Sequence, residues 1–236
     1  MTEPLHAQKK NFLEFPATNF CTTVLSLGPP RSGKTFLALK CIEYWIKIGM
    51  FDKYILILPQ FKNEFSDSYG WLKEYEQVTV YESFHSLYVN KMILEQEKNR
   101  KLHKEGKLTD MPRVFLFIDD ATSQGSTMFK DKTLVRIVTE NRHLFIHSWI
   151  CLHYDKGIIA PAVRLNMNFV ILYPVKTLLL QKMHAEYVDS EVFTELDNFE
   201  KEFLPYWKNA VGSKKFGCLL LARKNSYNSN CCNWFK

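Results

Sequence analysis

The 236-residue chain has no apolar run approaching the roughly 20 residues that a membrane-spanning helix needs, so no helical membrane anchor is expected. Its first ten residues, Met-Thr-Glu-Pro-Leu-His-Ala-Gln-Lys-Lys, lack an apolar core segment, so no secretory signal is expected either. The six cysteines, at 21, 41, 151, 218, 231 and 232, have no zinc-ligand spacing. They read as core thiols in a reducing compartment, and the adjacent pair Cys231-Cys232 is poorly placed to bridge. There is no internal repeat and no Pro/Gly/Ser-rich linker. A single domain is therefore expected over 1–236, with a core near 20–175 and a C-terminal extension and tail over 176–236. No acidic cluster of the kind a nuclease uses is evident.

What the chain does have is a sizeable apolar fraction, 46%, and a net charge of +6, compatible with a polyanionic partner. Apolar runs at 22–27, 53–58, 77–81, 113–118, 147–152, 168–173 and 215–222 read as strands. Most lack alternation, as strands covered on both faces do. Helical spacing falls between them, most clearly at 34–48, 84–104, 132–142 and 189–207. Strands alternating with helices predict an α/β fold, a mostly parallel sheet flanked by helices on both faces. Ligands of such sheets sit at the carboxyl ends of the strands.

One of those ends carries Gly28-Pro29-Pro30-Arg31-Ser32-Gly33-Lys34-Thr35, the phosphate-binding loop pattern G-x-x-x-x-G-K-[ST] between an apolar run and a helical one. Backbone N–H groups of the loop and the helix start face phosphates in such a loop. Lys34 is expected to reach the β- and γ-phosphates of ATP, and the Thr35 hydroxyl to ligate Mg²⁺. Arg31 lies within the loop and can simply face solvent. A second motif is Val114-Phe115-Leu116-Phe117-Ile118-Asp119-Asp120, a buried run ending in two carboxylates. Asp119 is expected to hold Mg²⁺ through water. Asp120 either polarises the attacking water or caps a helix.

His153 follows the next strand. It either presents a polar side chain to the γ-phosphate and water or faces solvent. Arginines from a neighbouring subunit often complete such sites, because a guanidinium stabilises charge on the γ-phosphate. Arg142, expected near the γ-phosphate edge of the sheet, and Arg164 are the candidates. Each can equally be a structural or surface arginine. The charged stretch 95–113 is either a solvated helix end or a surface facing nucleic acid or a neighbour. The polar tail from Arg223 is either disordered or an arm that docks through Trp234 and Phe235.

Taken together, Gly28–Thr35, Phe115–Asp120, Asn141-Arg142-His143-Leu144 and Val163-Arg164-Leu165-Asn166 resemble the genome-packaging ATPases of large DNA viruses and virophages. These form the poxvirus-type branch of the FtsK–HerA P-loop superfamily. The resemblance covers about 20–175 and departs from the family at His153, where Gln is frequent. It implies a motor that drives double-stranded DNA into a capsid, built as a homo-oligomeric ring with ATP at subunit interfaces and capsid or portal proteins as partners. It also implies a place in the host cytoplasm, at the virus factory, and in the virion, with no membrane partner. Lys98, Arg100, Lys101, Lys208, Lys214 and Lys215 are the candidate DNA-facing cations. A protein-remodelling ATPase and a nucleotide kinase are the competing readings. A non-hydrolysing scaffold is disfavoured by the intact Lys34, Thr35, Asp119 and Asp120.

Overall fold

The computed structural model describes residues 21–59, 69–120, 126–153, 159, 161–187, 198–212, 217–222 and 232–235. Its sheet has eight strands: β1 Thr23–Leu27, β2 Lys53–Ile57, β3 Val78–Tyr81, β4 Val114–Ile118, β5 Ile146–Leu152, β6 Phe169–Leu172, β7 Cys218–Ala222 and β8 Cys232–Phe235. Their order is β3-β2-β4-β5-β1-β6-β7-β8. The first six run parallel, and β7 and β8 continue the sheet antiparallel. The helices are α1 Lys34–Lys47, α2 Ser86–Lys104, α3 Ser126–Lys130, α4 Lys132–Leu144, α5 Pro161–Arg164, α6 Thr177–Tyr187 and α7 Leu204–Trp207. No helix among the described residues is long and apolar enough to cross a membrane.

The unbroken apolar runs have a direct physical cause. Successive residues of a strand point to opposite faces, and here both faces are covered. Leu25, Ile55, Ile57, Leu116, Ile118 and Ile150 pack with Val89, Met92 and Ile93 of α2 and with Leu134, Ile137 and Val138 of α4. Their neighbours in sequence, Val24, Tyr54, Leu56, Phe115, Phe117 and Trp149, pack with Ala38, Ile42 and Trp45 of α1. The two layers differ in kind. The α1 side is aromatic, with Trp45 edge-on to Phe51 and Phe115 at centroid distances of 5.8 and 5.2 Å, a geometry that favours ring edges over ring faces.

Polar side chains pin the edge where the strands begin. Asn141 donates to the Cys21 carbonyl at 2.8 Å. The Thr23 amide donates to Asn168 Oδ1 at 2.8 Å. Gln96 donates to the carbonyls of Pro112 and Leu144 at 2.7 and 2.8 Å. His147 accepts from the Thr22 amide at 3.3 Å and stacks edge-on to Phe51. Burial, aided by the charge of Arg113, lowers the His147 pKa to about 4, so the ring is held neutral. Cys21, Cys41, Cys151 and Cys218 are buried thiols outside any disulfide.

Several expectations change. The helix expected at 189–207 is described only from residue 198, and it continues past Trp207. It runs as π-helix at Phe199–Phe203, α-helix at Leu204–Trp207 and π-helix again at Lys208–Gly212. Pro205 has no amide hydrogen to give to the preceding turn, a common cause of departure from the regular ladder. The helix α6 was not expected, although Leu179, Leu180 and Met183 lie on one face and are buried. Residues 232–235 of the tail form β8, which pairs with β7 and is the last strand of the sheet. The rest of the tail before β8, 223–231, and Lys214 and Lys215 lie outside the described residues.

Candidate active site

The strand β5 lies between β1 and β4, hydrogen-bonded to both. This order gathers three carboxyl ends: the loop after β1, Asp119-Asp120 after β4 and His153 after β5. The loop is tied down where it leaves β1, with the Gly28 amide donating to the Leu152 carbonyl at 3.2 Å. A Cβ on Gly28 would lie 2.5 Å from Cβ of Tyr173 and 2.9 Å from Oγ of Ser32, so only glycine fits there. Arg31 (φ 60°) and Gly33 (φ 96°) take the left-handed conformation that turns the chain into α1. Gly33 is the N-cap of α1, and no side chain caps the helix. The first-turn amides are therefore left for an anion.

Lys34 is 4% exposed and folds back on the loop. Its Nζ donates to the carbonyls of Gly28 and Pro29 at 2.8 and 2.7 Å and lies 3.4 Å from the Ser32 hydroxyl. Burial lowers its pKa, and the nearby Cys151, Asp119 and Asp120 act in the other direction. The Thr35 hydroxyl reaches both carboxylate oxygens of Asp119 at 2.9 Å. Burial raises the Asp119 pKa to about 6 against the Thr35 hydrogen bond, with the Asp120 charge adding to the rise. A buried carboxylate paired with a hydroxyl and held above its usual range suits a hard cation, which accepts oxygen donors and keeps several waters.

Asp120 has φ 70°, a left-handed backbone that a non-glycine residue seldom takes and that recurs at functional sites. The next described helix begins at Ser126, so Asp120 is not the cap of that helix. Its Oδ1 lies 3.0 Å from Nε2 of His153, and Nδ1 of the same ring lies 3.3 Å from Nζ of Lys34. An ammonium can only donate, so Nδ1 is the acceptor from Lys34 and Nε2 is the nitrogen that faces Asp120. Lysine, imidazole and carboxylate thus form one chain across the site.

Gly28 to Thr35, Asp119, Asp120 and His153 are brought together; Arg142 and Arg164 are not. Arg142 is exposed in the last turn of α4, and its charge acts on the Cys21 thiol at the beginning of β1. Arg164 ends α5, and two residues later the Asn166 carbonyl accepts from Thr23, also at the beginning of β1. Both arginines therefore lie at the edge opposite the phosphate loop, not near the γ-phosphate edge where Arg142 was expected. The reason is directional. A helix that follows a parallel strand runs back down the sheet, so its last residues reach the opposite edge. Asn141 and Asn168, within or beside the same motifs, are pins of the fold.

Two neighbours of the site escaped the sequence reading. Tyr173 follows β6 and walls off Gly28, a placement signalled only by its coming next after a strand that pairs with β1. Tyr69 is 8% exposed, and burial together with the Asp119 charge raises its pKa. No local motif marks it.

No protein-family model matches the chain, and no curated protein matches it in sequence. Solved structures do. The genome packaging NTPase B204 from Sulfolobus turreted icosahedral virus 2, in complex with ATP-gammaS, is 14% identical. The match covers 93% of this chain and 98% of that one, with a TM-score of 0.56. B204 from Sulfolobus Turreted Icosahedral Virus, described as a DNA-packaging ATPase, is 15% identical over 89% of this chain and 96% of that one, with a TM-score of 0.56. The cytoplasmic domain of the Thermomonospora curvata type VII secretion ATPase EccC is 13% identical with a TM-score of 0.57, and the match spans 91% of this chain but 25% of that one. At such identities the likeness is one of fold. The chain has the α/β fold of P-loop ATPases, and its structural neighbours include a viral genome-packaging ATPase.

Proposed function

We propose that the protein is an ATP-driven motor that translocates double-stranded DNA, acting as a ring of identical subunits in genome packaging. The observation that carries the reading is the chain Lys34–His153–Asp120 beside the Thr35–Asp119 pair at the carboxyl ends of adjacent strands. The near-complete mutual coverage with B204 supports packaging over secretion, since EccC matches over only a quarter of its length.

In this reading the loop amides and the start of α1 bind the phosphates of ATP. Lys34 exchanges the carbonyls of Gly28 and Pro29 for phosphate oxygens, which form stronger charge-assisted bonds. Thr35 and Asp119 hold Mg²⁺, which when bound neutralises charge on the phosphate oxygens. Asp120 orients and polarises water, with the His153 ring against one of its carboxylate oxygens. Pro29, Pro30, Arg31 and Ser32 shape the loop. Arg142 is the first candidate for a group given to a neighbouring subunit, because it is exposed and points away from its own site; Arg164 is the second. Capsid or portal proteins are the expected partners, and the virus factory in the host cytoplasm and the virion the expected places.

Turnover with and without long duplex DNA, with phosphate release and phosphoryl transfer to nucleosides read in parallel, tests this reading. DNA-stimulated phosphate release is expected. Phosphoryl transfer to a nucleoside acceptor would instead make the protein a kinase. Mixing Lys34→Ala with Arg142→Ala chains tests the ring: mixed oligomers should regain turnover that neither variant has alone. Mixed oligomers without recovery move the assignment to Arg164.

A further inference from the structure

The outer face of α2 is a feature that the nucleotide site leaves unused. Val89, Met92, Ile93 and Gln96 are buried against the sheet and α4. At 3.6 residues per turn the opposite side carries positions 87, 91, 94, 98 and 101. These are Leu87, Lys91, Leu94, Lys98 and Lys101, and all five are exposed.

Charge on the helix is strongly one-sided. The helix has two carboxylates, and both are engaged: Glu95 with Lys53 at 2.7 Å and Glu97 with Arg136. Glu105, which caps the helix, pairs with Lys107. Among the described residues Lys91, Lys98 and Lys101 have no carboxylate partner. Three lysines with no compensating charge are thus strung along one helix side over about 15 Å. A duplex presents one charge per roughly 1.7 Å of its axis over its two strands, so this length of one strand carries about four phosphates. Lysine suits such a partner as a flexible point charge that needs no particular base.

The geometry points to this face of α2 as the surface that contacts the phosphate backbone of duplex DNA. The inference rests on the DNA-motor reading and adds to it the place of contact. Leu94 lies between Lys91 and Lys98, Leu87 lies one turn before Lys91, and both offer apolar surface to the sugars. The contact is independent of sequence, as a track for a whole genome must be.

The test compares the full-length protein with the triple variant Lys91→Gln, Lys98→Gln, Lys101→Gln. Binding to a random-sequence duplex is measured from low to moderate salt, with oligomer mass and DNA-free turnover followed alongside. The parent should lose affinity linearly in log salt, and the variant's slope should be smaller by about 2 to 3, near 0.9 per lysine removed. DNA-stimulated turnover should fall with it, while DNA-free turnover and oligomer mass stay unchanged. Equal slope and affinity in the two proteins overturn this face while leaving the motor reading intact. Loss of oligomer mass with unaltered DNA affinity also overturns it, and assigns the face to a neighbouring subunit. A parent that binds no duplex even at low salt overturns both this inference and the motor reading.

Discussion

Nε2 of His153 lies 3.0 Å from Oδ1 of Asp120, and this contact joins the end of β5 to the end of β4 beside Lys34 of the phosphate loop. It places the imidazole against the carboxylate before any substrate arrives. Glutamine is frequent at this position in the family the chain resembles, and the two side chains share a property. Each offers one acceptor and one donor on a planar group.

His153→Ala should lower the turnover number by about 10-fold or more, the lower range for a group that supports acid–base chemistry. ATP affinity should change little. His153→Gln should recover much of the loss. Steady-state kinetics alongside equilibrium binding would decide it: equal turnover in His153→Ala removes the residue from the account.

Lys34→Ala should abolish nucleotide binding in a folded protein, since the ammonium contacts loop carbonyls and His153 rather than the apolar core. Asp120→Asn should keep Mg·ATP binding and lose roughly 10²-fold or more in hydrolysis. Calorimetric titration with ATP and a phosphate-release assay on both variants separate the two roles. Undiminished hydrolysis by Asp120→Asn would remove it as the water-orienting group.

Asp119 makes stability depend on pH in a defined direction. Its pKa is raised to about 6 in the folded, metal-free protein against an unfolded value near 3.9. The folded chain therefore holds the proton more tightly. This contribution is full below about pH 4 and is lost as pH rises through about 6, amounting to about 3 kcal/mol. Asp119→Asn should accordingly be more stable than the parent above pH 7 without metal, and should bind Mg·ATP poorly. Denaturant unfolding of both proteins from pH 4 to 8 checks it; parallel curves would contradict it. His147 has the opposite sign, because its pKa is lowered to about 4, so its contribution is lost as pH falls below about 6.5. Comparing variant with parent cancels that background.

Gly28→Ala should cost about 1–3 kcal/mol of stability and weaken ATP binding, because the new Cβ meets the Tyr173 Cβ and not a movable side-chain tip. Thermal unfolding and ATP titration measure both. An alanine variant as stable as the parent would mean that the loop shifts freely at this point.

Much of this was legible because both faces of the sheet are covered. Runs such as Val114–Ile118 declare a buried strand without alternation, and the loop and acidic pair mark two strand ends by local pattern alone. Relations set by direction and pairing were harder. The return of α4 to the opposite edge carried Arg142 away from the loop, although strand polarity already implied it. The burial of Tyr69 beside the site and the closeness of Tyr173 to Gly28 depend on which strands lie side by side. In α6, Leu179 and Leu180 are buried while Leu178 is 65% exposed, a sidedness that three consecutive leucines do not display.

In the proposed function, hydrolysis at Lys34 and Asp120 moves the protein along duplex DNA. Displacement of a triplex-forming strand from a long duplex measures that movement directly. The parent protein with ATP should strip the third strand, and neither Asp120→Asn nor the parent with a non-hydrolysable ATP analogue should do so. A parent that hydrolyses ATP on DNA and leaves the triplex in place would contradict the claim.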